Sequence, residues 1–392
     1  MNHLQTSCSV ARCVGRWLIL LASWVGTGCL PVSAVLFMGT DDPDHNTAPP
    51  SGDPNGRGWN YLGEWGSFLG TVIGPRHFVT VRHIGGHVGD RFRFRGNEYP
   101  VVAYYDIGKV DLRVWEICEP FQFPEPHASL YRRFDEIGKE LVIFGRGTRR
   151  GDPVFLEMEG GSKELRGWLH GDADHRIRWG KNVVTLIFDF KDVNPEADVE
   201  LGEVQILVVD FDRDGGTDEA HLSPGDSGGP LFIQDGPEWL LAGVNYSVEG
   251  PFSLTADKNE KGFNAAVFDA RGFYYVFEEE AGWELVKDRG DNHAIPSAFY
   301  STRLSAYARH LDAVLEGRLE PTQGEPWVLV APRVDGPYRP VEIQDTLEEF
   351  HEIRLEKKKE TRFYRLHGCS AYRITEIALD DDHVVLRFER EE

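Results

Sequence analysis

Basic residues are scarce in this 392-residue chain: 42 lysines and arginines stand against 64 aspartates and glutamates, for a formal net charge of −22. Such a chain is a poor partner for nucleic acid or anionic lipid, because binding phosphate needs concentrated positive charge. Cysteine is scarcer still. Of five in all, Cys8, Cys13 and Cys29 fall in the first 34 residues. Cys118 and Cys369 remain, enough for one bridge and too few for a disulfide framework. Long hydrophobic runs are nearly absent, and "WLILLASWV" is short for a membrane span. Helical periodicity is equally rare. It shows clearly only in "TRLSAYARHLDAVLEG", where Leu304, Tyr307, Ala308, Leu311 and Leu315 share a face and Gly317 provides a stop.

The apolar run belongs to residues 1–34, which read as an export signal. Arg12 and Arg16 supply the positive region and Val32-Ser33-Ala34 the small-residue cleavage site. The expectation is an exported protein, periplasmic, extracellular or on the cell surface, with no transmembrane segment after cleavage behind Ala34. Cys29 offers a competing lipid-attachment site, although Gly26 stands where such signals usually carry an aliphatic residue.

What is abundant is the punctuation of short strands. The chain has 42 glycines, and 12% of its residues are aromatic. "SFLGTVIG", "HFVTVRHI", "RFRFRG", "YPVVAYYD", "DLRVWEI" and "LVIFGRG" are β-branched or aromatic and are separated by Gly, Pro or Asp. "RFRFR" alternates, which puts Phe92 and Phe94 on one face of a strand and Arg91, Arg93 and Arg95 on the other. Further strands are expected at "VVTLIFDF", "VQILVVDF", "PLFIQD" and "WLLAGVNYS". The fold class is therefore all-β. Residues 35–317 read as the main unit, 318–326 as a linker and 327–392 as a small β-rich module, in which "FHEIRL" and "TRFYRL" look like a hairpin around the exposed turn "EKKKE".

Ser227 lies in the glycine-rich stretch "LSPGDSGGPLF". A serine hydroxyl is a weak nucleophile at neutral pH, so it needs a base and a third group that orients the base. His83, at the end of a predicted strand, is the candidate base. Asp111 is the candidate orienter, with Asp106 as the fallback.

"TVRHI", "DLRV" and "GDSGGP", in that order, resemble the histidine, aspartate and serine boxes of the chymotrypsin/trypsin-like serine proteases, and the last is identical to that family's nucleophile box. Several bacterial exported members likewise lack the usual bridges. The resemblance covers roughly residues 35–317. It implies two antiparallel Greek-key β-barrels with a C-terminal helix, and a protein or peptide substrate. It also implies acyl transfer by His83, Asp111 and Ser227, with the backbone N–H groups of Gly225 and Ser227 holding the oxyanion. Asp226 would pair with a new N-terminal amine at Val35, released by cleavage after Ala34.

The sequence departs from the family at Ile84, where many relatives have cysteine, and at Arg82, where they have a small residue. Six positions before the nucleophile stands His221, so a preference for Lys or Arg substrates has no support, and a histidine there would suit an acidic side chain. Asn245, Tyr246, Ser247 and Val248 are expected along the substrate strand, with an insertion at 251–297 lining the cleft. Asp210, Asp212 and Asp214 have calcium-loop spacing, but His221 occupies the twelfth position. Acyl transfer requires no cofactor, so calcium there competes with a plain acidic loop. Two other readings stand beside the enzyme: a protease-fold binding or adhesion protein with little or no activity, and a C-terminal module that docks to another protein or surface.

Overall fold

The structure is a computed structural model. It describes residues 35–108, 110–189, 204–276, 282–288, 290, 293–324, 326–336, 339–340, 345–347, 352–358, 362–368, 372–379 and 382–390. The leader at 1–34, with its cleavage position and Cys29, lies outside these residues, as does Cys369. Cys118 is disulfide-bonded, and the other four cysteines all lie outside the described residues.

A two-residue strand, β1 (Leu36–Phe37), precedes the first large unit. That unit is made of β2 (Leu62–Trp65), β3 (Phe68–Val72), β4 (His77–Thr80), β5 (Arg91–Phe94), β6 (Asn97–Asp106) and β7 (Arg113–Ile117). These six strands close into a barrel in the order β2-β3-β4-β7-β6-β5. The alternation of "RFRFR" holds: Phe92 and Phe94 are buried while Arg91, Arg93 and Arg95 are exposed. Inside, Phe78 stacks on Phe92 at 3.8 Å between centroids, and Trp65 lies 4.6 Å from Trp115. Aromatic rings dominate this core, each burying far more apolar area than an aliphatic side chain.

The second unit contains β8 (Glu140–Gly145), β9 (Thr148–Glu157), β10 (Lys163–Ala173), β11 (Arg178–Val183), β12 (Leu186–Asp189), β13 (Gln205–Asp210), β14 (Ala220–His221), β15 (Pro230–Asp235) and β16 (Glu238–Val248). It continues through β17 (Phe252–Ser253), β18 (Ala265–Val267), β19 (Tyr274–Tyr275), β20 (Glu284–Leu285) and β21 (Ala298–Arg303). Seven of these strands form one antiparallel sheet in the order β11-β8-β15-β16-β21-β13-β12. The sheet wraps far enough for Asn182, on end strand β11, to donate to Asp210 O on β13, the second strand from the other end, at 2.9 Å. The insertion at 251–297 is built from short strands that pair in two separate sheets. Its β18 joins β10 and β9 in a three-stranded sheet, and β17, β19 and β20 form another.

Helix α1 (Leu304–Leu315) follows and buries Leu304, Tyr307, Leu311 and Val314 in a core shared by both large units. Its end is sharp because Gly317, at φ 65°, sends its N–H to Val314 O while Arg318 N reaches Ala313 O. The segment read as a linker then packs against the first barrel. Thr322 N donates to Tyr104 O at 2.8 Å and Tyr104 N to Gln323 O at 2.9 Å, which extends the ladder of β6.

The small C-terminal unit comprises β22 (Trp327–Ala331), β23 (Arg339–Pro340), β24 (Asp345–Leu347), β25 (Glu352–Glu356), β26 (Phe363–His367), β27 (Tyr372–Leu379) and β28 (His383–Arg390). Here the expected hairpin is replaced by a crossover. β25 pairs with β24 and β28, whereas β26 pairs with β22 in a separate sheet. Pairing with β28 buries Ile353 and Leu355 against Val384 and Leu386, a partner set that β26 does not offer.

Candidate active site

The three chemistry-bearing residues come from different elements and meet between the two large units. The loop after β4 carries His83, the loop before β7 carries Asp111, and the turn before β15 carries Ser227. His83 Nδ1 lies 2.5 Å from Asp111 Oδ2, and His83 Nε2 lies 2.9 Å from Ser227 Oγ. This geometry makes Nδ1–H the donor to Asp111 and Nε2 the acceptor for the serine hydroxyl, which is the tautomer a general base requires. Asp111 is fixed by more than the imidazole. Its Oδ1 accepts Arg82 N at 2.7 Å and His83 N at 2.9 Å, and its carbonyl accepts Thr302 Oγ1 from the second sheet at 3.4 Å.

Asp106, the alternative orienter, is committed elsewhere. It binds Arg113 through both oxygens, at 2.6 and 3.0 Å, and lies 3.5 Å from Arg82 Nε.

The turn carrying Ser227 depends on its glycines. Gly225 has φ 98° and Gly228 φ 78°, both favourable only without a Cβ. At Gly228 a Cβ would also lie 2.3 Å from Thr80 Oγ1 and 2.6 Å from Leu69 O. Gly228 N donates to Asn245 O at 3.0 Å and Asn245 N to Gly229 O at 2.8 Å, so the turn is pinned to β16. Among the described residues, the N–H groups of Gly225 and Ser227 donate to no protein acceptor. Two such donors flanking a nucleophile are suited to an incoming oxyanion.

Behind the serine lies Asp226, 1% exposed. Its carboxylate accepts Gly147 N at 2.7 Å, Ser223 N at 2.8 Å and Ser223 Oγ at 2.9 Å. Val35 N lies 3.3 and 3.4 Å from its two oxygens. Val35 is itself buried at φ 25°, a conformation that β-branched residues rarely adopt. Burial pushes the Asp226 carboxyl up to about 6, against the opposing pull of Gly147, Ser223 and Val35. Gly147 and Ser223 carry no sequence signal of their own beyond their nearness to glycine-rich turns.

The residues expected to read the substrate fall into two groups. Tyr246, Ser247 and Val248 are partly exposed along β16, and the Tyr246 ring lies 6.2 Å from that of His83. Asn245 instead is buried and braces the nucleophile turn, with Nδ2 donating to Phe144 O at 2.8 Å and to Asp226 O at 3.2 Å. His221 is also fully buried, among Phe211 and Phe299. Its Nδ1 donates to Leu222 O at 2.6 Å, and its Nε2 lies 3.3 Å from Ser297 Oγ. Burial lowers His221 to about 4 and its neighbour His170 to about 3. Both rings are neutral near pH 7, so His221 offers no exposed cation for an acidic side chain.

Asp210, Asp212 and Asp214 do not converge. Among the described residues, no group of three or more His, Cys, Asp or Glu side chains is arranged to hold a metal ion. The loop is closed internally instead, with Glu219 Oε1 accepting Asp212 N at 3.0 Å. Burial pushes Glu219 up to about 8.

No family model and no curated protein matches the chain. Among solved structures it is similar to two of the protease Rv3671c from M. tuberculosis H37Rv in an inactive form. One, a serine-to-alanine mutant, is 14% identical over 70% of this chain and 98% of that one, with a TM-score of 0.37. The other is 17% identical over 51% and 86%, with a TM-score of 0.32. The fold class is all-β: a closed six-stranded barrel, a second antiparallel unit, a late helix and a small β-rich extension.

Proposed function

We propose that the protein is an exported serine endopeptidase working through His83, Asp111 and Ser227. The observation that carries this reading is the continuous relay Asp111 Oδ2 to His83 Nδ1 and His83 Nε2 to Ser227 Oγ, at 2.5 and 2.9 Å. Ser227 Oγ attacks a peptide carbonyl as its proton passes to His83 Nε2. The tetrahedral oxyanion is held by the N–H groups of Gly225 and Ser227, each such donor contributing about 3 kcal/mol. His83 then gives the proton to the leaving nitrogen, the C–N bond breaks, and water repeats the sequence to free Ser227. No cofactor takes part.

Removal of residues 1–34 is proposed to complete the site. A free ammonium at Val35 would replace a backbone N–H beside a buried carboxylate, and would also release the strained φ of Val35. The C-terminal module is proposed as a docking unit outside the chemistry.

The test is labelling of a chain that begins at Val35 with a fluorophosphonate, with Ser227→Ala as the control. Stoichiometric adduct on Ser227 is the expected result. A folded chain without adduct would sink the enzyme reading in favour of a binding or adhesion protein on the same fold.

A further inference from the structure

The side-chain amide of Asn245 ends on one particular oxygen of the nucleophile turn. Asn245 is 1% exposed and sits on β16, between β15 and β21 in the large sheet. Its Nδ2 carries two hydrogens and meets two carbonyls, Phe144 O on β8 at 2.8 Å and Asp226 O at 3.2 Å. Its Oδ1 accepts the hydroxyl of Ser301, a fully buried residue of β21, at 3.3 Å. Both polar atoms of the amide are thereby engaged, and the two carbonyls settle which end is nitrogen. Gly229 leaves the room for this: a Cβ there would lie 2.2 Å from Phe144 O and 2.9 Å from Asn245 Nδ2. Asp226 O has a second donor, Gly229 N at 3.2 Å, but that bond lies within the turn and moves with it. Asn245 ties the same oxygen to three strands of the sheet.

That oxygen belongs to the peptide group whose other end is the Ser227 N–H. The peptide is trans, so its C=O and N–H point in opposite directions within one plane. Fixing Asp226 O on the sheet side therefore fixes the Ser227 N–H on the other, where it has no protein acceptor among the described residues. A hydrogen bond to the carbonyl also polarises the amide and strengthens its N–H as a donor. We infer that Asn245 is a positioning residue for acyl transfer, holding and polarising the Ser227 N–H toward the substrate oxyanion. This rests on the serine endopeptidase reading above. The ground-state carbonyl asks little of that donor and the tetrahedral oxyanion asks much. Losing the amide should therefore slow the chemical step and leave substrate binding nearly unchanged.

The test uses a chain beginning at Val35 and the best-hydrolysed member of a panel of N-blocked amino-acid thiobenzyl esters. Rates are expressed per fluorophosphonate-labelled site, so that folded enzyme alone is counted. Asn245→Leu keeps the volume and removes both bonds. It should lower kcat about 10- to 100-fold with KM within about twofold. A peptidyl trifluoromethyl ketone with the same side chain, labelled with ¹³C at its carbonyl, reads the oxyanion itself. Ser227 Oγ adds to the ketone carbon, the carbonyl π pair becomes the oxyanion, and the serine proton passes to His83 Nε2. The pKa of that oxyanion, followed by the ¹³C shift, should be about one unit higher in Asn245→Leu than in wild type. Asn245→Asp is the second variant and carries the test if the leucine form does not fold. Ionised, it turns an oxygen toward both carbonyls; protonated, it donates to one of them. Its kcat relative to wild type should therefore climb at least about threefold as pH falls from about 9 to about 5.5, a recovery that a merely loosened turn would not show. An unchanged oxyanion pKa in Asn245→Leu, or a kcat ratio flat with pH in Asn245→Asp, overturns the role of Asn245. If the wild type takes no fluorophosphonate on Ser227, the acyl-transfer reading itself fails and the inference goes with it.

Discussion

Asp111 and Asp226 are two carboxylates serving one serine from opposite sides, and they sit in contrasting environments. Asp111, on the first barrel, has a side chain 18% exposed and both oxygens engaged, one by two backbone N–H groups and the other by the imidazole. Asp226, on the second unit, is sealed from water and answers to neutral donors from Gly147, Ser223 and Val35. The first is complete as it stands. The second keeps its charge at a cost that its hydrogen bonds offset only in part and that a cation nearby would reduce further, because burial disfavours the ionised form. The two halves of the site therefore differ: the first is satisfied by its geometry, while the second, under the function proposed above, gains a cation only when the chain begins at Val35.

The sharpest way to break that comparison is on the complete side. Asp111→Asn should leave the hydrogen-bonded shape largely intact but reverse the imidazole tautomer, lowering turnover about 10⁴-fold. If Asp111→Asn retained more than a tenth of the rate, Asp111 would be structural and the first barrel would not be the finished half.

The second prediction concerns Asp226. With an alanine added before Val35, the ammonium is displaced and Asp226 keeps the raised value of about 6. An acid whose folded value lies above its unfolded one stabilises the fold as pH falls through 6 toward 3.8, by up to about 3 kcal/mol. With a free amine at Val35 the folded value should drop, and the contribution reverses: it is present above the unfolded value and is lost as pH falls through the folded one. Thermal melts from pH 7 to pH 4, each taken as wild type minus Asp226→Asn, should show slopes of opposite sign in the two forms. The extended form should also turn over substrate about 10- to 100-fold more slowly. Equal slopes would mean that Val35 and Asp226 do not pair after processing.

A third, smaller effect tests the glycine turn that joins the halves. Gly228→Ala sets a Cβ against Leu69 O and adds positive-φ strain, which should destabilise the fold by about 1–3 kcal/mol. Urea unfolding measures it. A neutral result would mean that the turn adapts more freely than its packing implies.

Much of this site was legible before any fold was known, and the reason is local. "GDSGGP" encodes its turn through the glycines themselves, and the alternation in "RFRFR" fixes which face of β5 is buried. Strands β9 and β10 carry no such local signal, because "TRRGDPVFLE" and "KELRGWLHGDA" mix Gly, Pro and charge without a period. Their pairing rests on long-range contact, with Gly151 and Gly171 so close that a Cβ on either would meet the other's Cα at 2.9 Å. His221 shows the same limit. Its spacing from Ser227 placed it six residues before the nucleophile, but whether its ring faced substrate or core was decided by Phe211, Phe299 and Ser297, none of which is near it in sequence except through the fold.

The smallest predicted effect tests whether the finished half is as self-sufficient as its hydrogen bonds suggest. Thr322, from the segment that follows α1, accepts Asp106 N with its Oγ1 at 2.8 Å and extends the ladder at Tyr104. Asp106 in turn holds Arg113 and approaches Arg82, the residue whose backbone N–H supports Asp111. Thr322→Val removes the hydroxyl acceptor and keeps the shape. Because this bond is exposed, water can replace it, and the cost should stay below about 1 kcal/mol with less than a twofold change in turnover. A tenfold fall in rate with an unchanged melting temperature would show that the C-terminal segment tunes Asp111 through Asp106 and Arg82. The first barrel would then depend on a distant part of the chain just as the second depends on Val35.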